Sequence, residues 1–262
     1  MARDTVKGTL GVALGVCLVC SVLVSAAAVS LKPTVRVNKA LDKKKNILMA
    51  AGLLGANESA GVSRIQELYE NIDARVIDLS TGDYTDIDPS QFDGKKSAKD
   101  PQQNTIIATG DDLAGIKTRS KFSDVYLVSE KGRVRKVILP VNGKGLWSTL
   151  YGFLALDTKD FNTIRGLVFY EHAETPGLGG EVDNPNWKAL WDGKKAYGEN
   201  GEVLIDVIKG QVVPGNPKAK YQVDGLSGAT ITANGVKNML RYWLGKEGFE
   251  AYIQNLRRQG VS

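Results

Sequence analysis

VYLVSEKGRVRKVILPVNGKGLWSTLYGFLALDTKDFNTIRGLVFY, residues 125–170, decides what kind of fold this chain adopts. Two apolar, β-branched runs, 125–128 and 134–139, lie on either side of Lys131-Gly132. Two more, 150–156 and 164–170, flank the polar stretch 157–162. Short runs of this composition, separated by turn residues, predict two successive antiparallel hairpins, a meander. Downstream, Asn184-Pro185 supplies a cap and a first-turn proline for a short helix carrying Trp187, Leu190 and Trp191 and stopping at Gly193. Strands are expected over 203–208 and 221–224. The tail, 231–256, places Val236, Leu240, Trp243 and Leu244, then Phe249, Tyr252, Ile253 and Leu256 at helical spacing, broken at Gly245 and Gly248. The fold class read from this is α+β: a mostly antiparallel sheet domain with flanking helices on one face.

Upstream, residues 8–31 are 24 positions without a charge. As a helix they would span about 36 Å, enough to cross a bilayer. Ala26-Ala27-Ala28 resembles a small-residue cleavage site, yet the apolar stretch is longer than the roughly 7 to 15 residues of a signal peptide, so a retained N-terminal transmembrane helix is expected. Gly11 and Gly15 have the spacing of a close-packing motif in membranes. Arg3 and Lys7 precede the run and Lys32, Arg36, Lys39 and Lys43 to Lys45 follow it, which by charge alone favours a cytoplasmic main domain. That rule is weak for large domains. Beyond it, 38–54 reads as a helix ending near Gly52 and Gly55. Ser63 and Gln66 form a candidate capping box for a helix through Ile65, Leu68, Tyr69 and Ile72. Residues 80–104, rich in Asp, Gly, Ser and Gln, read as a long surface excursion. The chain divides into 1–35, the anchor; 36–120, a helical and irregular membrane-proximal region; and 121–262, the main domain.

With 262 residues and a formal net charge of +5, the chain can build a real core and has no basic stripe interleaved with aromatics, so a nucleic-acid partner is not expected. Both cysteines, Cys17 and Cys20, sit in the apolar run. The main domain therefore has no thiol for a disulfide, a nucleophile or a cysteine-ligated metal, and no metal-ligand spacing appears elsewhere.

Three segments carry chemistry. The first, Asp224-Gly225-Leu226-Ser227-Gly228-Ala229-Thr230, joins a strand to a helix. Its glycines allow close backbone approach, helix N-terminal amides favour a phosphate, and Ser227 and Thr230 offer hydroxyls. The same spacing also fits a glycine turn with a threonine cap. It is not a Walker A loop, which needs a lysine after its last glycine. The second, His172-Ala173-Glu174-Thr175-Pro176-Gly177-Leu178-Gly179-Gly180-Glu181, is a small-residue loop able to lie against a planar ligand. It is neither a zinc deaminase motif, lacking cysteines, nor a dinucleotide fingerprint, since Val182 stands where a third glycine belongs. The lone His172 is either structural or a base for Ser227. No partner for Glu171 or Glu174 is visible in the sequence. The third, Gly143-Lys144-Gly145-Leu146-Trp147, presents a tryptophan that is either core or ring-packing.

Together these three segments resemble the FMN-binding domain family found in the C subunit of the sodium-translocating NADH:quinone oxidoreductase and, more distantly, in the G subunit of the Rnf electron-transport complex. The resemblance rests on Asp-x-x-Ser-Gly-Ala-Thr at 224–230, His-x-Glu-Thr-Pro-Gly-Leu-Gly at 172–179 and Gly-Lys-Gly-Leu-Trp at 143–147. It covers nearly the whole chain, and the long stretch before the hairpins looks more like the sodium-translocating enzyme's protein than the shorter Rnf one. It implies FMN esterified through its phosphate to Thr230 by a flavin transferase, with Ser227, Gly228 and Ala229 around the phosphate. It also implies Gly145, Leu146, Trp147, Glu174, Thr175, Gly177 and Leu178 beside the isoalloxazine. The implied role is an electron carrier in a bacterial inner-membrane respiratory complex with other subunits, single-pass, its FMN domain periplasmic. Electrons from NADH would arrive through other subunits and leave toward ubiquinone. The rival expectations are a membrane-tethered hydrolase using Ser227 with His172, and a non-catalytic scaffold.

Overall fold

The computed structural model describes residues 5–55 and 58–259. Arg3 lies outside them. The chain forms two compact units, Met1–Lys43 and Lys44–Ser262.

The first unit is helical. Helix α1, Val6–Ala50, runs 45 residues and contains the whole apolar stretch. Among the described residues it is the one helix long and apolar enough to cross a membrane, and its apolar window is solvent-exposed throughout. The separate helix expected over 38–54 is the continuation of α1. Pro33 lies inside it. A proline there forgoes one backbone bond, a loss the ordered turns on both sides absorb. α1 ends as expected at Gly52, whose φ of 69° is left-handed, with the Leu53 amide donating to the Leu48 carbonyl at 2.9 Å.

The second unit holds the sheet. Helix α2, Val62–Tyr69, starts from Gly61 without a side-chain cap, so the Ser63–Gln66 capping box is not formed and Ser63 is an interior residue. Ile72 is not helical either. It opens strand β1, Ile72–Asp78, which pairs antiparallel with the later strand Phe122–Glu130 from Ile72 opposite Val128 to Asp78 opposite Phe122. The excursion that follows contains helix α3, Gly94–Ser97, capped by Asp93, then strands β2, Asn104–Ile106, and β3, Thr118–Ser120, which pair with each other. The two expected hairpins are present as β4, Phe122–Glu130; β5, Arg133–Lys144; β6, Thr149–Asp157; and β7, Ile164–Glu171. Lys131 and Gly132 both have positive φ, 52° and 73°, the two-residue turn that matches strand twist. The sheet order is β1-β4-β5-β6-β7, leaving β1 and β7 as its edges. The isolated bridges Ile77–Tyr84 and Thr163–Lys195 lie beside those edges.

Helix α4, Pro185–Ala189, is capped by Asn184 as expected. The strands foreseen over 203–208 and 221–224 shrink to β8, Asp206–Val207, and β9, Gln222–Val223, a parallel pair outside the main sheet. Helices α5, Thr230–Leu244, and α6, Glu250–Gln259, complete the chain, with the break between them at Gly245 to Phe249.

Helices cover both faces of the sheet, not one. On one side Val125, Leu127, Val137, Leu139, Leu150, Leu154, Leu167 and Phe169 share a core with Trp191, Val236, Leu240, Leu244, Phe249 and Tyr252 of the C-terminal helices. The other side, with Tyr126, Val128, Ile138, Phe153 and Val168, is also buried. There the end of α1 arrives: a Cβ at Gly166 would stand 2.7 Å from the Ala50 carbonyl, and Lys136 Nζ donates to the Ala51 carbonyl at 2.6 Å. The physical reason is in the strands, which are near-continuous apolar runs and so need cover on both faces.

This topology sets up the site. β5 ends at Lys144, paired with Thr149 at the start of β6, and β7 ends at Glu171, paired with Tyr151. The loops after β5 and β7 therefore leave the same end of the sheet side by side. α5 lies across β5 closely enough that a Cβ at Gly143 would stand 2.6 Å from Met239 Cβ, and Trp243 Nε1 donates to the Asn142 carbonyl at 2.7 Å.

Candidate functional site

The loop after β5 turns tightly, the Gly145 amide donating to the Ser148 carbonyl at 2.8 Å. The turn aims successive backbone amides at one carboxylate, Glu174, which is 5% exposed. Glu174 Oε1 accepts from the Trp147 and Ser148 amides, both at 3.0 Å, and from the Ser148 hydroxyl at 3.2 Å. Its Oε2 accepts from the Leu146 amide at 3.2 Å and from Thr232 Oγ1 at 2.6 Å. Burial pushes this carboxyl toward its neutral form, but the bonds from Thr232, Ser148, Trp147 and Leu146 outweigh it and hold the group below the usual carboxylate range. Gly145 has no alternative here, since a Cβ would meet Oε1 at 2.6 Å.

The segment before α5 is held from behind. Trp187 Nε1 donates to the Asp224 carbonyl at 2.9 Å, the Val212 amide donates to Asp224 Oδ1 at 2.8 Å, and the Gly225 amide donates to the Gly210 carbonyl at 2.8 Å. Gly228 has a φ of 69°, and a Cβ there would meet Leu178 Cδ2 at 3.0 Å, so the loop after β7 closes over this turn. Ala229 is the N-cap and makes no side-chain cap bond. Thr230 is thus the first helical residue and not the cap that its spacing also allowed. The first helical bond is Ala233 amide to Ala229 carbonyl, 3.0 Å, so the amides of Thr230, Ile231 and Thr232 precede the helix ladder and point out of its N-terminus.

Around Thr230 the surface is apolar. Leu146 is 44% exposed, Trp147 67%, Leu178 44% and Ile231 59%. Trp147 is therefore not core. Ser227, Gly228, Thr230, Thr175 and Gly177 are also exposed, whereas Gly145, Ala229 and Glu174 are buried behind them. An exposed apolar rim beside a helix N-terminus suits a ligand that is planar and apolar at one end and anionic at the other, which is the shape of FMN.

His172 faces elsewhere. Its Nδ1 accepts from the Glu174 amide at 3.2 Å and its Nε2 lies 2.8 Å from Asp183 Oδ2. With both ring nitrogens engaged it is a structural histidine that braces the Glu174 backbone, and it leaves no base for Ser227. Sequence reasoning missed Ser148, Ile231 and Thr232. Thr232 had a signal, since it occupies the same inward row of α5 as Val236, Leu240 and Leu244, where a polar residue needs a partner.

Residues 145–245 match the FMN-binding domain family model. Over 258 residues, 98% of this chain and 98% of the relative, the sequence is 51% identical to the C subunit of the Na(+)-translocating NADH-quinone reductase of Pseudomonas aeruginosa. It is 45% identical to the protein of the same description from Haemophilus ducreyi, covering 97% of this chain and 96% of that one. The crystal structure of Shewanella oneidensis NqrC superposes with a TM-score of 0.77 at 35% identity, covering 85% of this chain and 100% of that chain. The crystal structure of the corresponding Na(+)-translocating NADH-quinone reductase protein from Parabacteroides distasonis gives 0.64 at 28% identity, covering 85% and 96%.

Proposed function

The chain belongs to the NqrC family, the C subunits of Na(+)-translocating NADH-quinone reductases, and from that premise we propose that it relays electrons through an FMN joined by a phosphoester to Thr230. It is a subunit of an oxidoreductase complex and contains an FMN-binding domain. The near full-length match to NqrC favours this assembly over the Rnf type.

One observation carries the choice of Thr230. The first turn of α5 reads Thr-Ile-Thr, and its two hydroxyls have opposite fates: Thr232 is 0% exposed and bonded to Glu174, whereas Thr230 is exposed at the first helical position, beside the unladdered amides. A phosphoester there keeps its charge at the positive end of the helix. Ser227 and the backbone of Gly228 and Ala229 add hydrogen-bonding partners. Leu146, Trp147, Thr175, Gly177 and Leu178 shield the ring, with Gly145 and Glu174 behind them shaping the wall. The flavin supplies the redox chemistry, and the chain's part is to hold, orient and partly desolvate it.

In this reading α1 is a single-pass anchor in the bacterial inner membrane, the flavin domain is periplasmic, NADH binds another subunit, and a flavin transferase forms the ester. The test is mass spectrometry of the full chain matured in cells containing the transferase. The expected result is one FMN on the tryptic peptide between Lys220 and Lys237, with fragment ions placing it on Thr230, and none on Thr230→Ala. Since Thr230 is exposed, that variant should stay within about 0.5 kcal/mol of wild-type stability. Flavin retained on Thr230→Ala, or wild-type chain with none, defeats the assignment.

A further inference from the structure

Glu174 is the most heavily bonded side chain of the site, yet it is buried, its carboxylate on the backbone of the rim residues and not on the exposed surface. We infer that Glu174 is the positioning residue of the flavin site: it sets where the Thr230 turn stands against the apolar rim, and its buried negative charge opposes the uptake of electrons by the attached group.

Five donors converge on this one carboxylate from two separate elements. Four come from the loop 146–148 and one from α5, while Glu174 itself belongs to the loop after β7. One group thus ties all three site segments together. It has no freedom to move. A Cβ at Gly145 would stand 2.6 Å from Oε1, one at Gly179 would stand 2.7 Å from Oε2, and the Ser148 hydroxyl also accepts from the Ala173 amide at 2.8 Å, locking the next residue back. The amides of Leu146 and Trp147 donate to the carboxylate, and the side chains of these same residues form the rim. The charge therefore lies against the backbone of the rim, inside protein where a charge is weakly screened. The link to α5 is a single bond, Thr232 Oγ1 to Oε2, two residues from the attachment point.

The inference rests on the proposed attachment of FMN at Thr230, and its test separates the two. Glu174→Gln keeps the shape but removes the charge. With its carbonyl toward the Trp147 and Ser148 amides, its NH₂ faces the Leu146 amide, which cannot accept, and the Thr232 hydroxyl, which can. Thr232→Val keeps the charge and cuts the link to α5, while Thr232→Ser restores the hydroxyl. Each full chain is matured in its assembly, and flavin content is read by intact mass, flavin environment by absorption and emission, and midpoint potential by redox titration. Glu174→Gln should carry flavin with a more positive potential. Thr232→Val should carry flavin with altered absorption and emission, which Thr232→Ser returns to wild type. Flavin-loaded Glu174→Gln with wild-type spectrum and potential overturns the inference. If Glu174→Gln does not accumulate, flavin-loaded Thr232→Val indistinguishable from wild type overturns it. Wild-type chain lacking flavin defeats the attachment, and this inference with it.

Discussion

Gly179→Ala probes the Glu174–Thr232 link without touching either residue. Gly179 does not have a left-handed φ, so alanine brings no backbone strain. The added methyl would stand 2.6 Å from Thr232 Oγ1 and 2.7 Å from Glu174 Oε2, beside the 2.6 Å hydrogen bond that joins those two atoms. Ordinary contact needs about 3.4 Å, so both atoms must draw back from the methyl by several tenths of an ångström. Because the amides of 146–148 hold the Glu174 carboxylate in place, the two cannot retreat together and the bond loses its geometry. A hydrogen bond to a charged group contributes about 1.5–3 kcal/mol, and replacing glycine returns about 0.4–1 kcal/mol through the unfolded chain. The net loss is about 1.5 kcal/mol, a fall in Tm of about 3–6 °C for a unit of this size. The assay is near-UV circular dichroism melting of the detergent-solubilised full chain. The control is Gly110→Ala, where a Cβ meets nothing within 4 Å and the change should stay within about 0.5 kcal/mol. If the cost runs through the link, Gly179→Ala in a Thr232→Ala background, which removes both the bond and the atom the methyl meets, should lose much of its effect, because residues sharing one bond do not add. Melting of Gly179→Ala no lower than the control refutes the reasoning.

Three further outcomes are expected. Gly166→Ala, pressing on the Ala50 carbonyl from 2.7 Å, should lower Tm by several degrees through about 1–3 kcal/mol of overpacking, and an unchanged melt would remove the end of α1 from the sheet face. Asp160 is held well below the usual carboxylate range: burial opposes its ionisation, but bonds from Lys195 and Thr163 and the amides of Thr163 and Asn162 prevail. With a lowered folded pKa, its stabilisation is full above the unfolded value of about 3.9 and is lost as pH falls below it. The Tm gap between wild type and Asp160→Asn should therefore be constant near pH 7 and close below about pH 4; a gap that persists or widens in acid contradicts this. Trp147 is 67% exposed while Trp187, Trp191 and Trp243 are at most 6%, so Trp147→Phe in the flavin-free chain should remove the red-shifted, iodide-quenchable emission with little change in Tm. Unaltered iodide quenching would mean that Trp147 is covered.

The legible parts of the fold were those whose signal is local. The Lys131-Gly132 turn, the Asn184-Pro185 cap and the glycine break after Leu244 are each decided by a few adjacent residues. β1 was hidden because Ile72 continues the helical spacing of α2. It becomes a strand only by pairing with Val128, more than fifty positions away. The continuity of α1 was hidden because the uncharged run ends at Leu31 and a change of composition carries no sign that the helix runs on through Lys32 and Pro33 to Ala50. At the site, the three loops were visible as motifs, and Thr230 as a residue type. What joins them was not: Glu174 meets Thr232 across 58 positions and Trp147 across 27, separations at which spacing carries no information. Hence the burial of Glu174 and its bonds to residues 146–148 and to Thr232 could be seen only in the folded chain.

The sheet's two borders have a consequence for how copies of the chain meet one another. β1 is flanked by the bridge to Tyr84 and carries Asp73 and Arg75, paired with each other at 2.9 Å. β7 is met by the 193–195 segment, whose Gly193 amide donates to the Ile164 carbonyl while the Ile164 amide donates to the Lys194 carbonyl. Backbone groups that would otherwise template a neighbouring molecule are partly occupied, and charged side chains guard the rest. A second copy of the chain thus meets edges that are partly occupied and charged, an arrangement that disfavours strand-by-strand aggregation.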